Sequence, residues 1–239
     1  MRFLLLFLLW ITVVFGIFVE DDEGYGGRGK GSKYYDSSSS ESHEAHGHHH
    51  HGSRPRPSRP RPPPRKRCDE GWMAFDRPQG MWCVKVFGVA VRADTAEALC
   101  VAQGAKLTGV QNAKERLMIA DAGRILQQQP GASPGQTIWL GARRKPQCPY
   151  RNSCGPMDAF SWTDGHTTGV EGYQWSYNNP DAVRLPGRQD GVASCIALLP
   201  ALHGTQYIAN WCHNNCPHGS FDDRHCDSTM FYACGKQAI

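Results

Sequence analysis

The sequence predicts a disulfide-stapled α+β domain after residue 67, and two observations lead to this fold class. The first is the placement of the cysteines, because all ten lie downstream of residue 67, at positions 68, 83, 100, 148, 154, 195, 212, 216, 226 and 234. The second is a pair of helix starts followed by short segments rich in aromatic and β-branched residues.

Both helix starts carry the spacing of a capping box, in which a polar side chain precedes a Glu by three residues. Asp94 and Glu97 have this spacing ahead of an apolar run that Gly104 would end. Asn112 and Glu115 repeat the spacing before a second apolar run. We therefore expect one helix to begin near Asp94 and another near Asn112, both packed on a sheet.

Five later segments predict strands, because they combine aromatic and β-branched residues. They span residues 138–140, 160–162, 194–198, 207–211 and 230–234. We expect the tryptophans of these segments to pack in the core. Cys148 and Cys154 lie between the first two segments and are expected to close a hairpin tip.

The N-terminus indicates the compartment of the protein. Arg2 precedes an apolar stretch from Phe3 to Val19, and an acidic run begins at Glu20. This arrangement is typical of a secretory signal peptide, which we assign to residues 1–18. A membrane anchor is the alternative, but the stretch is shorter than the ~20 apolar residues that a bilayer crossing needs. We therefore expect a secreted, extracellular protein without a transmembrane anchor.

Residues 19–67 have the composition of a disordered stalk ahead of a domain spanning residues 68–239. Acidic, Gly-rich, Ser-rich, His-rich and Arg-Pro-rich blocks follow one another with almost no apolar residues. Anionic glycans are candidate partners of the basic Arg-Pro block at residues 54–67, although such a run is more often a solvated spacer. The tract from His43 to His51 is either a metal-binding segment or a spacer of biased composition.

The compartment also bears on the cysteines, because disulfides persist in oxidising surroundings. Zinc binding is the alternative role for the cysteines, but a structural zinc site needs two closely spaced pairs of ligands. Cys212 and Cys216 form one close couple, and no second couple stands at the spacing of a zinc finger. We therefore expect all ten cysteines to be in disulfides.

Several motifs between the cysteines occur in a characteristic order. They are Cys100 with Gly104-Ala105-Lys106-Leu107, then Trp139-Leu140-Gly141, Phe160-Ser161-Trp162-Thr163-Asp164-Gly165, Cys195, Trp211, Cys216 and Cys234. In this order the motifs resemble those of the C-type lectin-like domain, over roughly residues 68 to 236. The resemblance implies two helices packed on small antiparallel sheets, with a long ligand-binding loop region, here at about residues 163–190.

The resemblance also implies three disulfides. They are Cys100–Cys234, Cys195–Cys216, and Cys68–Cys83 in the N-terminal hairpin of the long form of the domain. For the four remaining cysteines we expect the local pairs Cys148–Cys154 and Cys212–Cys226. These pairs would leave no free thiol, which suits an even count in a secreted chain.

Lectins of this family hold their sugar through calcium, so the resemblance raises the question of a metal site. Asn179-Pro180-Asp181 is similar to the first part of the family's ligand set, for which the family implies a cis peptide before Pro180. Ala193 stands where the family has a Glu two residues before the inner cysteine. Asp190 is a candidate substitute for that Glu.

The last part of the family's ligand set is Trp-Asn-Asp, and the sequence departs from it. Cys212 and His213 follow Trp211 in place of the Asn and Asp. Calcium prefers about six to eight oxygen ligands, so the loss of several is not easily compensated. We therefore expect calcium to bind weakly or not at all, through Asn179 and Asp181, and we expect no other cofactor.

Taken with the compartment, these features predict a secreted binding protein that recognises carbohydrate or an extracellular protein through the long-loop face, largely without calcium. The candidate ligand-binding residues are Asn179, Asp181, Asp190, Tyr177, Trp175 and His213. One alternative is a calcium-dependent lectin of the galactose type, and another is a structural or matrix protein that acts through the basic stalk. We do not expect an enzyme, because the sequence has no Gly-x-Ser-x-Gly, His-Glu-x-x-His or phosphate-loop motif.

Overall fold

The computed structural model of the protein describes residues 66–189, 191–207 and 216–239. The expected signal peptide, nearly all of the stalk and the His tract therefore lie outside the described residues. The same holds for Asp190, Cys212 and His213, and for the expected strand beyond Tyr207. In the part of the chain that is described, no helix is long and apolar enough to span a membrane.

Within the described residues, two helices and eight strands form an α+β fold, as expected. They are β1 Met73–Arg77, β2 Gly80–Val91, α1 Ala93–Ala102, β3 Lys106–Leu107, α2 Ala113–Gln127, β4 Ile138–Arg144, β5 Phe160–Trp162, β6 Cys195–Leu199, β7 Ser220–Arg224 and β8 Met230–Gln237. The strand order is β1-β2-β8-β4-β6-β7, with β3 paired to β8 and β5 paired to β4. The pairing of β4 with β8 is parallel, and each of the other pairings is antiparallel.

The start and the end of the described chain lie side by side. The antiparallel hairpin of β1 and β2 is followed in the sheet by β8, which carries the C-terminus. Arg67 N donates to Ile239 O at 2.8 Å, and Ile239 N donates back to Arg67 O at 3.1 Å. These bonds join Arg67 to the fold one residue before Cys68.

The two helices differ in how they begin. Asn112 caps α2 as expected, since its side chain accepts a hydrogen bond from Glu115 N at 3.0 Å. The expected cap at Asp94 is wrong, because the N-cap of α1 is Arg92 and no side chain bonds its first turn. Asp94 instead pairs with Arg143 at 2.7 Å, and Glu97 accepts from Leu107 N at 2.8 Å. Both side chains of the expected capping box therefore bond to residues outside the helix.

In the described part of the chain, the core consists of two main clusters on the sheet. One cluster joins Ile119 and Ala120 of α2 to Ile138, Leu140 and their neighbours on the strands. The other joins the buried face of α1 to Trp139, Tyr232 and the Cys100–Cys234 bridge. The expected core position of Trp139 is confirmed, because it is fully buried. Both helices therefore pack on the sheet as expected.

Four described disulfides support this fold. Cys68–Cys83, Cys100–Cys234 and Cys148–Cys154 are the expected pairs. The fourth bridge joins Cys195 to Cys226, so the expected pairs Cys195–Cys216 and Cys212–Cys226 are wrong. Cys216 is also in a disulfide.

The pairing of β6 with β7 explains why Cys195 bonds to Cys226. Cys195 begins β6 and β7 ends shortly before Cys226, so antiparallel pairing brings the two cysteines together. Leu199, at the other end of β6, is buried in a cluster with Cys216. Four residues of strand span about 13 Å, whereas the Cα atoms of a disulfide lie at most ~7 Å apart. Cys216 thus lies near the far end of β6, whereas Cys195 is bonded to Cys226 at the near end.

Candidate functional site

The long loop region leaves β5 at Thr163 and returns to the sheet at Cys195. Its first turn is held by Asp164, whose Oδ1 accepts from His166 N at 2.9 Å and Thr167 N at 2.8 Å. The other carboxylate oxygen of Asp164 accepts from Gly109 N at 2.8 Å. The loop therefore starts from a buried, hydrogen-bonded base.

Trp175 anchors the middle of the loop to β7. Its ring centroid lies 5.5 Å from that of Phe160 and 6.0 Å from that of Phe221, and its Nε1 donates to Pro156 O at 3.0 Å. Next along the chain, Ser176 N donates to Phe221 O at 2.9 Å. These contacts align the loop with β7, so that residues 177–181 follow the same edge as Asp222 and Asp223.

After this anchor the chain turns sharply. The peptide between Asn179 and Pro180 is cis, as the family resemblance implied. Asn178 and Ala182 have φ angles of 61° and 52°, in the left-handed region that few side chains adopt. The Asn179 side chain holds the turn by donating from Nδ2 to Ser176 Oγ at 2.8 Å.

A cavity of about 390 Å³ opens between this turn and β7. It is lined by Arg151, Tyr177, Asn178, Asn179, Asp181, Val183, Leu185, Arg188, Asp222, Asp223, Arg224, His225 and Ser228. Three of the expected ligand-binding residues, Tyr177, Asn179 and Asp181, thus share one cavity. Trp175 does not line it, because its ring packs in the aromatic cluster beneath the loop. Asp190 and His213 lie outside the described residues.

The sequence interpretation missed the two aspartates on β7. Asp222 and Asp223 follow the aromatic Phe221 and precede Cys226, the partner of Cys195. This aromatic-Asp-Asp triplet lies on β7, at the place where the family resemblance puts Trp211 and its two neighbours. The signal was present in the sequence, because an aromatic residue followed by two carboxylates is similar to the Trp-Asn-Asp pattern.

Asp223 is fully buried and bonds the loop directly. Its Oδ1 accepts from Asp181 N at 2.8 Å, and its Oδ2 accepts from Ala182 N at 2.8 Å. The Arg144 guanidinium also donates to Oδ2. Burial raises the pKa of Asp223, while Arg144 and the two backbone N–H groups act in the opposite direction. Because these three partners are all donors, their arrangement matches the ionised carboxylate.

Arg144 brings together three separate segments at the end of β4. Besides Asp223, its Nε donates to Ala193 O at 2.7 Å and its Nη1 donates to Cys148 O at 3.3 Å. The guanidinium carbon lies 4.6 Å from the centre of the Phe160 ring. With 4% of its side chain exposed, Arg144 is a buried cation.

Asp222 forms a second acidic position in the cavity wall. It pairs with the Nε of Arg224, and it lies near Asp181 and Asp223. The pKa of Asp222 is raised to about 7, chiefly by burial and also by the carboxylates of Asp223 and Asp181, while Arg224 and Asn179 act in the opposite direction. Asp222 therefore titrates close to neutral pH.

The side chains around this turn do not fit a calcium ion, which prefers about six to eight oxygens. Both oxygens of Asp223 already accept hydrogen bonds, Asp222 pairs with Arg224, and Ala193 has no side-chain oxygen. One oxygen would favour calcium binding, because Asn179 Oδ1 is buried without a hydrogen-bond partner among the described residues. One orphan oxygen does not offset the Arg144 cation bonded to Asp223. Across the described ranges, no group of three or more His, Cys, Asp or Glu side chains is arranged to hold a metal ion.

Two helices on a sheet, a long loop closed by the Cys195–Cys226 bridge and a cis Asn179–Pro180 turn define a C-type lectin-like domain. A family model described as "C-type lectin domain-containing protein 141/158" matches residues 74–236, and the chain belongs to this family. The chain is also 27% identical over 171 residues to the versican core proteins of Bos taurus and Homo sapiens. The match covers 72% of this chain and 4% of the length of those relatives.

Solved structures resemble the chain at low sequence identity. Human lithostathine is 17% identical, with a TM-score of 0.47 over 72% of this chain and 91% of that one. A calcium-independent type II antifreeze protein is 22% identical, with a TM-score of 0.43 over 73% of this chain and 98% of that one.

Proposed function

We propose that the protein is a secreted C-type lectin-like binding protein that recognises carbohydrate or an extracellular protein at the long-loop cavity, without strong calcium dependence. The observation that carries this proposal is the buried ion pair between Arg144 and Asp223. It supports the loop with groups of the chain itself, so that the cavity needs no metal. Secretion is supported by the disulfides, which persist in oxidising compartments.

Carbohydrate fits the chemistry of the cavity best. The wall presents the acceptor side chains of Asp181 and Asp222, and Tyr177 lies at the rim with 48% of its surface exposed. Sugars offer hydroxyl donors to such oxygens and a less polar ring face to an aromatic side chain. A volume of about 390 Å³ lies within the range of small-ligand sites, roughly 300 to 1,000 Å³.

A protein ligand is the second candidate, and the exposed apolar rim favours it. Val183 and Leu185 expose 38% and 45% of their surfaces beside Tyr177. Aromatic and apolar side chains surrounded by polar groups are typical of the centre of a protein interface. A protein ligand would depend on the rim, whereas a sugar would depend on the acidic wall.

Two variants distinguish these ligands on a glycan array and in a screen of extracellular proteins, each run with calcium and with chelator. We expect glycan binding that survives the chelator and is lost in Asp181→Ala. Leu185→Ser should abolish binding of a protein ligand and spare most of the binding to a sugar. Lys114→Ala is the control, because this exposed residue at the start of α2 does not line the cavity. Binding that disappears with chelator would support the calcium-dependent lectin instead.

The matrix role remains a separate alternative, since it depends on the basic stalk. Deletion of residues 19–66 removes the Arg-Pro block except Arg67, whose backbone bonds to Ile239 belong to the described domain. If the cavity carries the function, the truncated protein should keep its glycan or protein ligand. Loss of binding to anionic glycans alone would assign that second activity to the stalk.

A further inference from the structure

The end of β4 places a buried cation where the long loop meets β7. Arg144 donates to the carbonyls of Ala193 and Cys148 and to the carboxylate of Asp223. Its side chain is 4% exposed, and that of Asp223 is fully buried. One guanidinium therefore contacts the segment after β4, the return of the long loop and β7.

Asp223 bonds Arg144 and also the cis turn. Its two oxygens accept from the backbone N–H groups of Asp181 and Ala182, each at 2.8 Å. These residues follow Pro180 directly, and Ala182 has a left-handed backbone. The position of the turn thus depends on the Asp223 carboxylate, which in turn depends on its counter-charge.

A buried carboxylate without a counter-charge is strongly unfavourable, and it would take up a proton or draw in water. The fork of a guanidinium can bond a carboxylate and two carbonyls at once, and this geometry is what makes a buried pair tolerable. Arg144 meets this condition, because its Nε and both terminal nitrogens have acceptors.

We propose that the Arg144 guanidinium performs, in this chain, the work that a divalent cation would perform at this loop. It neutralises Asp223, and it ties the return of the loop at Ala193 to β7. The Arg144 counter-charge is then one cause of the misfit with calcium, beside the missing side-chain oxygen at Ala193 and the pairing of Asp222 with Arg224. Arg144 is a positioning residue, acting on a ligand through Asp223 and the turn at residues 179–182.

This inference deepens the proposed function, but its test needs no ligand. The test uses hydrogen exchange and thermal unfolding of the full chain, for the unmodified protein, Arg144→Gln and Arg188→Gln. Arg188 is the matched control, because it also lines the cavity and pairs with Asp227 at 2.8 Å, but 36% of its side chain is exposed. A ligand screen that fails would leave these readouts unchanged, so the two proposals can fail separately.

In Arg144→Gln, the amides of Asp181 and Ala182 should exchange about tenfold faster or more, because their acceptor loses its counter-charge. Arg188→Gln should leave both rates within about twofold of those of the unmodified protein. At about 10 mM calcium, well above the weak end of extracellular calcium sites, the melting temperature of Arg144→Gln should rise. The melting temperature of the unmodified protein should not change.

Equal calcium responses of Arg144→Gln and the unmodified protein would overturn the proposal, as would unchanged exchange at Asp181 and Ala182 in the variant. Arg144→Lys is the second variant, which keeps the proposal testable if Arg144→Gln does not fold. An ammonium keeps the charge but cannot reproduce the planar fork, so protection at the two amides should be intermediate, and calcium should have no effect. A rise in the melting temperature of Arg144→Lys with calcium would also contradict the proposal.

Discussion

Cys195 is bonded to Cys226, which joins the first residue of β6 to the chain just beyond the end of β7. The Cα atoms of the two cysteines lie 5.3 Å apart. Asp222 and Asp223 stand on β7 shortly before this bridge. The bridge therefore fixes the strand that supplies the acidic wall of the cavity.

Non-reducing peptide mapping should recover this bridge. We expect a linked peptide pair that contains Cys195 and Cys226, alongside the pairs Cys68–Cys83, Cys100–Cys234 and Cys148–Cys154. Cys216 should also be recovered in a linked peptide, because it is disulfide-bonded. A linked peptide of Cys195 with Cys216 would contradict the strand register described above.

Replacement of Arg77 should destabilise the domain strongly. Arg77 is buried, bonds Glu115 through two nitrogens at 2.8 and 2.7 Å, and lies 3.9 Å from Asp164. Its loss leaves two buried carboxylates without their cation, which costs about 3 to 5 kcal/mol. For a domain of this size, Arg77→Met should lower the melting temperature by roughly 6 to 20 °C.

Arg124→Gln is the control for this prediction, because its pairing with Asp121 is more exposed and spans 3.9 Å. Pairs of this kind contribute about 0 to 1 kcal/mol. Equal melting temperatures for Arg77→Met and Arg124→Gln would mean that the buried network does not stabilise the fold.

Gly141→Ala should destabilise the sheet next to the long loop. A Cβ at Gly141 would lie 2.0 Å from the carbonyl oxygen of Leu107, so the backbones of β3 and β4 would have to separate. Overpacking of this kind costs about 1 to 3 kcal/mol or more, and denaturant unfolding measures it. Gly88→Ala is the control, because its Cβ would meet Leu126 at an ordinary 3.6 Å. An effect of Gly141→Ala no larger than that of the control would contradict the close approach.

Asp222 should make stability depend on pH between about 4 and 7. Its pKa is raised by burial from an ordinary 3.8 to about 7, so the folded state retains a proton that the unfolded state has lost. The stabilisation from this group is complete below pH 3.8 and is lost as the pH rises through about 7. Asp222→Asn mimics the protonated form, so its melting temperature relative to the unmodified protein should rise from pH 5 to pH 8.

Thermal melts across this range test the sign of the effect. Asp94→Asn serves as the control, because the side chain of Asp94 is 87% exposed. A difference between Asp222→Asn and the unmodified protein that stays constant with pH would show that Asp222 titrates near its ordinary value. The charged groups that face Asp222 and act on its pKa are Arg224, Asp181 and Asp223.

Two interactions between residues close in sequence were predictable from the sequence alone. Asn112 caps α2 through Glu115, three residues away, and Cys148 bonds to Cys154, six residues away. The order of motifs was sufficient to predict the α+β class, the Cys100–Cys234 bridge and the cis turn at Pro180. Each of these features depends on a short pattern or on a motif that stands in the expected order.

Only the tertiary structure decided those pairings of distant residues that no motif of the sequence specifies. Arg144 and Asp223 are 79 residues apart, and no local pattern indicates that the end of β4 faces β7. The register of β6 with β7 selects Cys226 rather than Cys216 for Cys195, and the approach of Arg143 takes Asp94 from the helix start. Propensity acts on neighbouring residues, whereas a buried charge is satisfied by whichever element the fold packs against it.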